Sequence, residues 1–227
     1  MFTQPSASPA DFPDIFGESC TETGSPIRVN LNEFSYKKGV EIFGEKEPAD
    51  YVYQVMSGAV RSYKLLSDGR RQIGAFHLAG DIFGLEIGTD HRFTAEAIVD
   101  TTVRLMKRRS LEMVAESDVK VARNLLSMTT TNLRHAEDHM LLLGRKTSLE
   151  RVAAFLIEMD RRLTAAGILA LPMCRRDIAD YLGLTLETVS RALSRLHYLR
   201  ILGFVGHNQR QIVLLDRAQL ASLDLQH

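Results

Sequence analysis

Residues 175–194 read Arg-Arg-Asp-Ile-Ala-Asp-Tyr-Leu-Gly-Leu-Thr-Leu-Glu-Thr-Val-Ser-Arg-Ala-Leu-Ser. This stretch constrains the fold more than any other. Two short helices that cross at a tight turn need a small residue at the crossing, and Ala179 supplies it. The turn needs a residue that tolerates left-handed backbone, and Gly183 supplies that. The second helix needs apolar residues to lock it, here Ile178, Leu182, Leu184, Val189 and Leu193, and a cap, here Thr185. All of these stand at helix-turn-helix spacing.

The second helix of such a motif enters the DNA major groove by its N-terminal residues, here Leu186, Glu187, Ser190 and Arg191. Glu187, Ser190 and Arg191 share one face at steps of three and four. Arg191 can bond guanine O6 and N7 together, and Glu187 can accept from cytosine N4 or brace Arg191. Ser190 can reach a base edge, and Leu186 can pack on a thymine methyl. The plain alternative is a solvated Glu187–Arg191 ion pair. Downstream, Ile201–Val205 and Gln211–Leu215 bracket a polar tip, the pattern of a winged helix. Candidate contacts to the DNA backbone are Arg175, Arg176, Thr185, Thr188, His207, Gln209 and Arg210.

Upstream lies a different pattern. Residues 1–26 are rich in Pro, Ser, Thr and acid and contain no apolar run of signal-peptide type, so a mobile arm is expected. Residues 27–109 carry short β-prone runs. Tyr51–Met56 and Val60–Leu65 flank Ser57-Gly58, Asp68-Gly69 marks a hairpin, and Thr94–Val99 and Thr102–Met106 follow. Many short strands with regular turns predict an antiparallel roll.

A single long helix is expected over 110–144, stopped by Gly144. Val119, Ala122, Leu126, Thr129, Leu133, Ala136, Met140 and Leu143 recur on alternating steps of three and four, as in a coiled-coil seam. That seam suits a parallel homodimer. The alternative is packing on the chain's own roll, which a second row including Leu125, Met128 and Leu141 could also provide. Residues 145–227 then form the winged helix-turn-helix, entered by a helix over 147–163 capped by Thr147 or Ser148. The fold class is α+β.

Charge supports this division. The whole chain has 28 basic and 28 acidic residues, which argues against a protein that coats nucleic acid by bulk charge. Residues 1–144 hold 16 Lys and Arg against 20 Asp and Glu, whereas residues 145–227 hold 12 against 8. The basic part is the part expected to meet a polyanion. No apolar run is long enough to span a bilayer, so no membrane partner is expected. The two cysteines, Cys20 and Cys174, give neither a disulfide framework nor a zinc spacing, and a reducing cytoplasm is the natural compartment.

In these features the sequence resembles the CRP/FNR family of bacterial transcription regulators, over about residues 27–227. The resemblance is carried by the roll with Gly58, Gly69 and Gly80-Asp81-Ile82-Phe83-Gly84, by the long helix, and by Glu187-Thr188-Val189-Ser190-Arg191, which looks like the FNR-type recognition helix. It implies inverted repeats of TTGAT-type half-sites, and activation through contacts with RNA polymerase. The FixK-type branch, which controls low-oxygen and nitrogen-fixation genes, is the most similar. Two departures follow. Cys20 stands alone and the roll has no cysteine, so no cysteine-held iron–sulfur cluster is expected. Gly80-Asp81, Leu85-Glu86 and Arg92-Phe93-Thr94 only partly echo a cyclic-nucleotide pocket, so no cofactor is expected. The alternative is a regulator of the same fold that answers a small effector in the roll.

His135 and His139 are spaced to ligate a metal, but solvation on a helix face is the expected reading. Enzyme motifs are missing: there is no Gly-x-Ser-x-Gly, phosphate loop or His-Glu-x-x-His. Cys174 precedes Arg175-Arg176 at the entry to the reading motif. Two guanidiniums and a helix start favour thiol oxidation there, and an added negative charge near DNA phosphates would weaken binding. Against that redox switch stands a plain buried thiol beside Pro172-Met173.

Overall fold

The computed structural model describes residues 32–86, 88–145, 147–206 and 209–224. The chain divides into two compact units, one made of Met1–Lys64 and Gly74–Arg134, the other of Leu65–Ile73 and His135–His227.

The roll is built from strands β1 (Asn32–Tyr36), β2 (Glu41–Phe43), β3 (Tyr51–Ser57), β4 (Ala59–Leu65), β5 (Arg71–Leu78), β6 (Ile82–Phe83), β7 (Thr94–Ala97) and β8 (Thr101–Lys107). They form two four-stranded sheets, ordered β1-β8-β3-β6 and β2-β7-β4-β5. Val52 faces Met106 and Val55 faces Val103 across the antiparallel β3–β8 pair. Phe43, Tyr53, Val55, Val60, Phe83, Ala95 and Val103 make one core cluster. Gly58, at φ 89°, connects β3 to β4. A Cβ there would sit 2.6 Å from the Asp100 carbonyl oxygen, a backbone atom that cannot yield, so the turn requires glycine. The β4–β5 connection closes at Asp68-Gly69 as expected, with Leu66 N–H donating to Arg70 O at 2.7 Å.

The long helix is broken. Helix α1 covers Arg108–Ser117 and α2 covers Val119–Arg145. Asp118 between them is extended (φ −122°, ψ 108°), and its carboxylate accepts the Lys120 N–H at 2.7 Å. A carboxylate that caps a new helix start competes with helix continuation, and Ser117-Asp118 was the signal for it. Nor does Gly144 stop α2, which runs on to Arg145. Leu111 of α1 joins Val52, Ile82 and Met106, and Val121, Leu125 and Met128 of α2 pack on that cluster. Leu125 and Met128 thus cover the roll as the second row required. Leu141 does not, being 64% exposed.

In the second unit, α3 (Ser148–Leu163) starts with a complete capping box. Thr147 Oγ1 accepts the Glu150 N–H at 3.4 Å and Glu150 Oε2 accepts the Thr147 N–H at 2.8 Å, which satisfies two otherwise orphaned donors. Val152, Ala153, Phe155, Leu156 and Met159 form its buried stripe. Strands β9 (Thr164–Ala165) and β10 (Ile168–Ala170) follow, joined through Ala166 and Gly167, both at positive φ. That two-residue hairpin turn went unread in the sequence because its strands are so short. Helices α4 (Arg175–Leu182) and α5 (Leu186–Tyr198) are followed by β11 (Leu202–Val205), β12 (Gln211–Leu214) and α6 (Arg217–Asp224). The sheet runs β11-β12-β10-β9. Leu220 buries α6, and Arg217 pairs with Asp160 of α3 at 2.8 Å.

Candidate nucleic-acid interface

Ala179 is 2% exposed at the crossing of α4 and α5. Gly183 ends α4 in left-handed backbone (φ 62°, ψ 38°). Leu184 N–H donates to Ala179 O at 3.0 Å across that turn, so an L-residue there would strain the link between the two helices. Thr185 Oγ1 accepts the Thr188 N–H at 3.2 Å and opens α5. Ile178, Leu182, Val189 and Leu193 are buried, and Leu184 is half-buried.

With that face locked, the opposite face of α5 is outward. Glu187 and Arg191 are exposed, and Leu186 and Ser190 are half-buried. The Glu187 carboxyl is held below the ordinary carboxylate range by its own backbone N–H at the helix start and by the Thr185 hydroxyl, with smaller help from Arg176 and Arg191. It therefore stands as an anionic acceptor on the outward face of α5.

The groups expected at the DNA backbone fall into two kinds. Arg176 is exposed on the first turn of α4, and Thr185 and Thr188 bring their hydroxyl oxygens within 3.0 Å of each other at the start of α5. Arg175, in contrast, turns inward along the motif. Its Nη1 donates to Ser190 Oγ at 3.3 Å and its Nη2 donates to Gln209 Oε1. Arg210 is half-buried beside Gln209, and its carbonyl accepts the Leu171 N–H at 3.0 Å. His207 lies outside the described residues.

Sequence reading missed several groups that hold α4. Asp177 is only 4% exposed. Its carboxylate accepts the Cys174 N–H at 3.0 Å and pairs with Arg71 at 2.8 Å. Arg71, from the 65–73 segment of the same unit, also grips Asp180 through Nε (2.9 Å) and Nη2 (2.7 Å). An acid three residues after a helix cap was a legible signal for the first contact; nothing local announces the second. Cys174 is half-buried at the cap position. His139 is not solvated as expected: its ring lies 4.1 Å from that of Tyr181, and burial lowers its pKa. His135 is exposed. Among the described residues no group of three or more His, Cys, Asp or Glu could hold a metal ion, and no helix is long and apolar enough to cross a membrane.

The expected seam is outward on α2. Val119 (72%), Leu126 (67%), Leu133 (58%) and Met140 (65%) are largely exposed. Thr129 and Ala136 are exposed too, while Ala122 and Leu143 are half-buried.

Known proteins share this arrangement. Residues 33–118 match the cyclic nucleotide-binding domain family, and residues 150–223 match the Crp-like helix-turn-helix domain family. The chain is 47% identical to the nitrogen fixation regulation protein FixK of Rhizobium meliloti over 162 residues, 71% of this chain and 74% of the relative. The chain belongs to the CRP/FNR family of transcription regulators, in its FixK branch. FixK of Azorhizobium caulinodans is 44% identical to this regulator over 195 residues, 83% of this chain and 77% of that one. The solved structure of FixK2 from Bradyrhizobium japonicum superposes on the regulator with a TM-score of 0.83 at 70% identity, covering 86% of this chain and 98% of that one. The antiparallel roll and the C-terminal helix-turn-helix expected from the sequence are the architecture of this family.

Proposed function

We propose that this regulator is a cytoplasmic, homodimeric activator that reads TTGAT-type inverted repeats and recruits RNA polymerase to low-oxygen or nitrogen-fixation genes. The observation that carries the reading is the outward face of α5. Glu187, Ser190 and Arg191 stand together on the side opposite Val189 and Leu193, the residues that lock the helix. Leu186, Glu187, Ser190 and Arg191 read bases. Arg175, Arg176, Thr185, Thr188, Gln209 and Arg210 meet the backbone, with His207 on the wing tip. The relatives named as nitrogen fixation regulation proteins support the choice of target genes.

Two half-sites about one helical turn apart need two readers related by a two-fold axis. The outward Val119–Met140 row on α2 supplies the dimer contact, since four large apolar side chains left in water favour burial against a second copy.

In the roll, the position that partly echoes a nucleotide pocket is engaged internally. Glu86 Oε1 accepts the Arg92 N–H at 3.3 Å and lies 3.8 Å from His91 Nδ1, while Phe43 stacks on His91 at 3.5 Å. A carboxylate and a packed aromatic ring suit a structural role better than a phosphate cradle. Oxidation of Cys174 is proposed as an off-switch. A sulfinate there would add negative charge beside the Asp177 carboxylate and near the DNA path.

Binding to a randomised duplex pool tests the reading. The expected result is enrichment of an inverted repeat with TTGAT-type halves. Enrichment of an unrelated sequence, or of none, overturns it.

A further inference from the structure

We propose that Arg175 sets the hydrogen-bonding sense of two DNA-facing side chains, Ser190 on the recognition helix and Gln209 on the wing, so that both present donors outward. The inference rests on α5 being the DNA-reading helix.

Arg175 lies where the two arms of the motif meet. Its guanidinium donates to Ser190 Oγ through Nη1 and to Gln209 Oε1 through Nη2. It also stands 5.8 Å from the centroid of Phe204, on strand β11 of the wing. A guanidinium has five N–H donors and no acceptor. Each bond it makes therefore consumes acceptor capacity on its partner.

For Ser190 the consequence concerns base choice. One lone pair of Oγ is engaged and a cation sits behind it, so the hydroxyl is polarised to donate. It then favours base edges that accept, such as thymine O4 or guanine O6 and N7. It disfavours the exocyclic amines of cytosine and adenine, which are donors. For Gln209 the carbonyl oxygen is engaged, and the amide NH₂ is the end left for a phosphate. Arg175 thus converts two ambivalent side chains into two donors with fixed sense.

The same contacts hold Gln209, between β11 and β12. Arg175 and Gln209 line a small cavity of about 90 Å³ together with Leu171, Met173, Ile178, Leu193 and Ile212. Gln209 itself is held at φ 52°, a conformation that costs energy outside glycine and persists only when neighbours hold it. Arg175 is a positioning residue in this role, separate from any phosphate it meets.

The experiment compares wild type, Arg175→Lys, Arg175→Ala, Ser190→Ala and the Arg175→Lys/Ser190→Ala double variant on the duplex recovered from the randomised pool. Every base pair of a half-site is permuted in competition, at several salt concentrations. Lysine keeps the charge and loses the planar fork, so Arg175→Lys should keep the salt dependence. It should lose roughly three- to tenfold of base discrimination at one pair per half-site, the range for one hydrogen bond. That pair should be the one at which Ser190→Ala loses discrimination, and the double variant should lose no more than Ser190→Ala alone. Two results overturn the proposal. One is wild-type discrimination at every pair in Arg175→Lys. The other is an Arg175→Ala variant that weakens all sequences equally and adds to Ser190→Ala. If wild type prefers no duplex over a scrambled one, the DNA-reading assignment itself falls, and this inference falls with it.

Discussion

Arg151 holds the carbonyl of Leu182, donating from Nη1 at 3.0 Å. Its other terminal nitrogen donates to the Leu143 carbonyl at 2.8 Å. One side chain on α3 therefore satisfies a carbonyl in the last turn of α2 and another at the end of α4, beside the Gly183 turn. Carbonyls at helix ends have no intrahelical partner, and burying them unpaired is costly.

Arg151→Ala should therefore cost about 1–3 kcal/mol of unfolding free energy, more than an ordinary surface change. Chemical denaturation of both proteins measures it. A change within about 0.5 kcal/mol, the range for surface positions, would show that water replaces the guanidinium without penalty.

Arg191 and Glu187 should carry base choice. Arg191→Ala is expected to abolish operator binding, losing about 1–3 kcal/mol of discrimination per half-site. Glu187→Ala should relax preference at a C·G pair while leaving binding elsewhere intact. Gel-shift titration of both variants decides the matter, and wild-type affinity and selectivity in both would remove α5 from the reading role.

Leu126→Asp and Leu133→Asp discriminate sharply, because both positions are exposed in the single chain. On a free surface each substitution should be nearly neutral. In a seam, a charge buried without a partner is strongly unfavourable. Sedimentation should show loss of the dimer, with DNA binding lost alongside. A variant that sediments like wild type argues for a free face.

The two buried imidazoles predict acid sensitivity. Burial lowers the pKa of His91, partly offset by Glu86, Glu47 and Asp50, and burial lowers that of His139. In the unfolded chain both titrate near 6.5. Between each lowered value and about 6.5 the unfolded state binds more protons, so stability rises with pH. The contribution is complete above about 6.5 and is lost as the pH falls toward the folded values. His91→Phe and His139→Phe keep a ring in place and should each flatten the stability profile as the pH falls below about 6.5. Unchanged slopes in both would mean that these rings protonate in the native state as readily as in the unfolded one.

Cys174 is tested by peroxide. Wild type should lose operator binding and Cys174→Ser should keep it, while Cys174→Asp should bind poorly without oxidant. Equal loss in wild type and Cys174→Ser would move the effect to another residue, and no loss in wild type would end the switch.

The reading motif was legible in the sequence because its determinants are local. Ala179, Gly183 and Thr185 act through backbone contacts three to five residues away, so type and spacing suffice. Strand alternation and the period of the apolar row on α2 were legible for the same reason. The break at Asp118 was decided by a competition between one carboxylate and helix propagation, and period alone does not register it. Tertiary structure alone decided which side chains meet across the chain. Arg175 reaches Gln209 34 residues on, Arg151 reaches Leu182 31 residues on, and Arg71 reaches Asp180 109 residues on. A long cation leaves no periodic trace of its partner, because its reach and its several donors let it answer whichever acceptor folding brings near. The sequence therefore determined that this chain carries a helix-turn-helix, and only packing determined how its second helix and the wing are held.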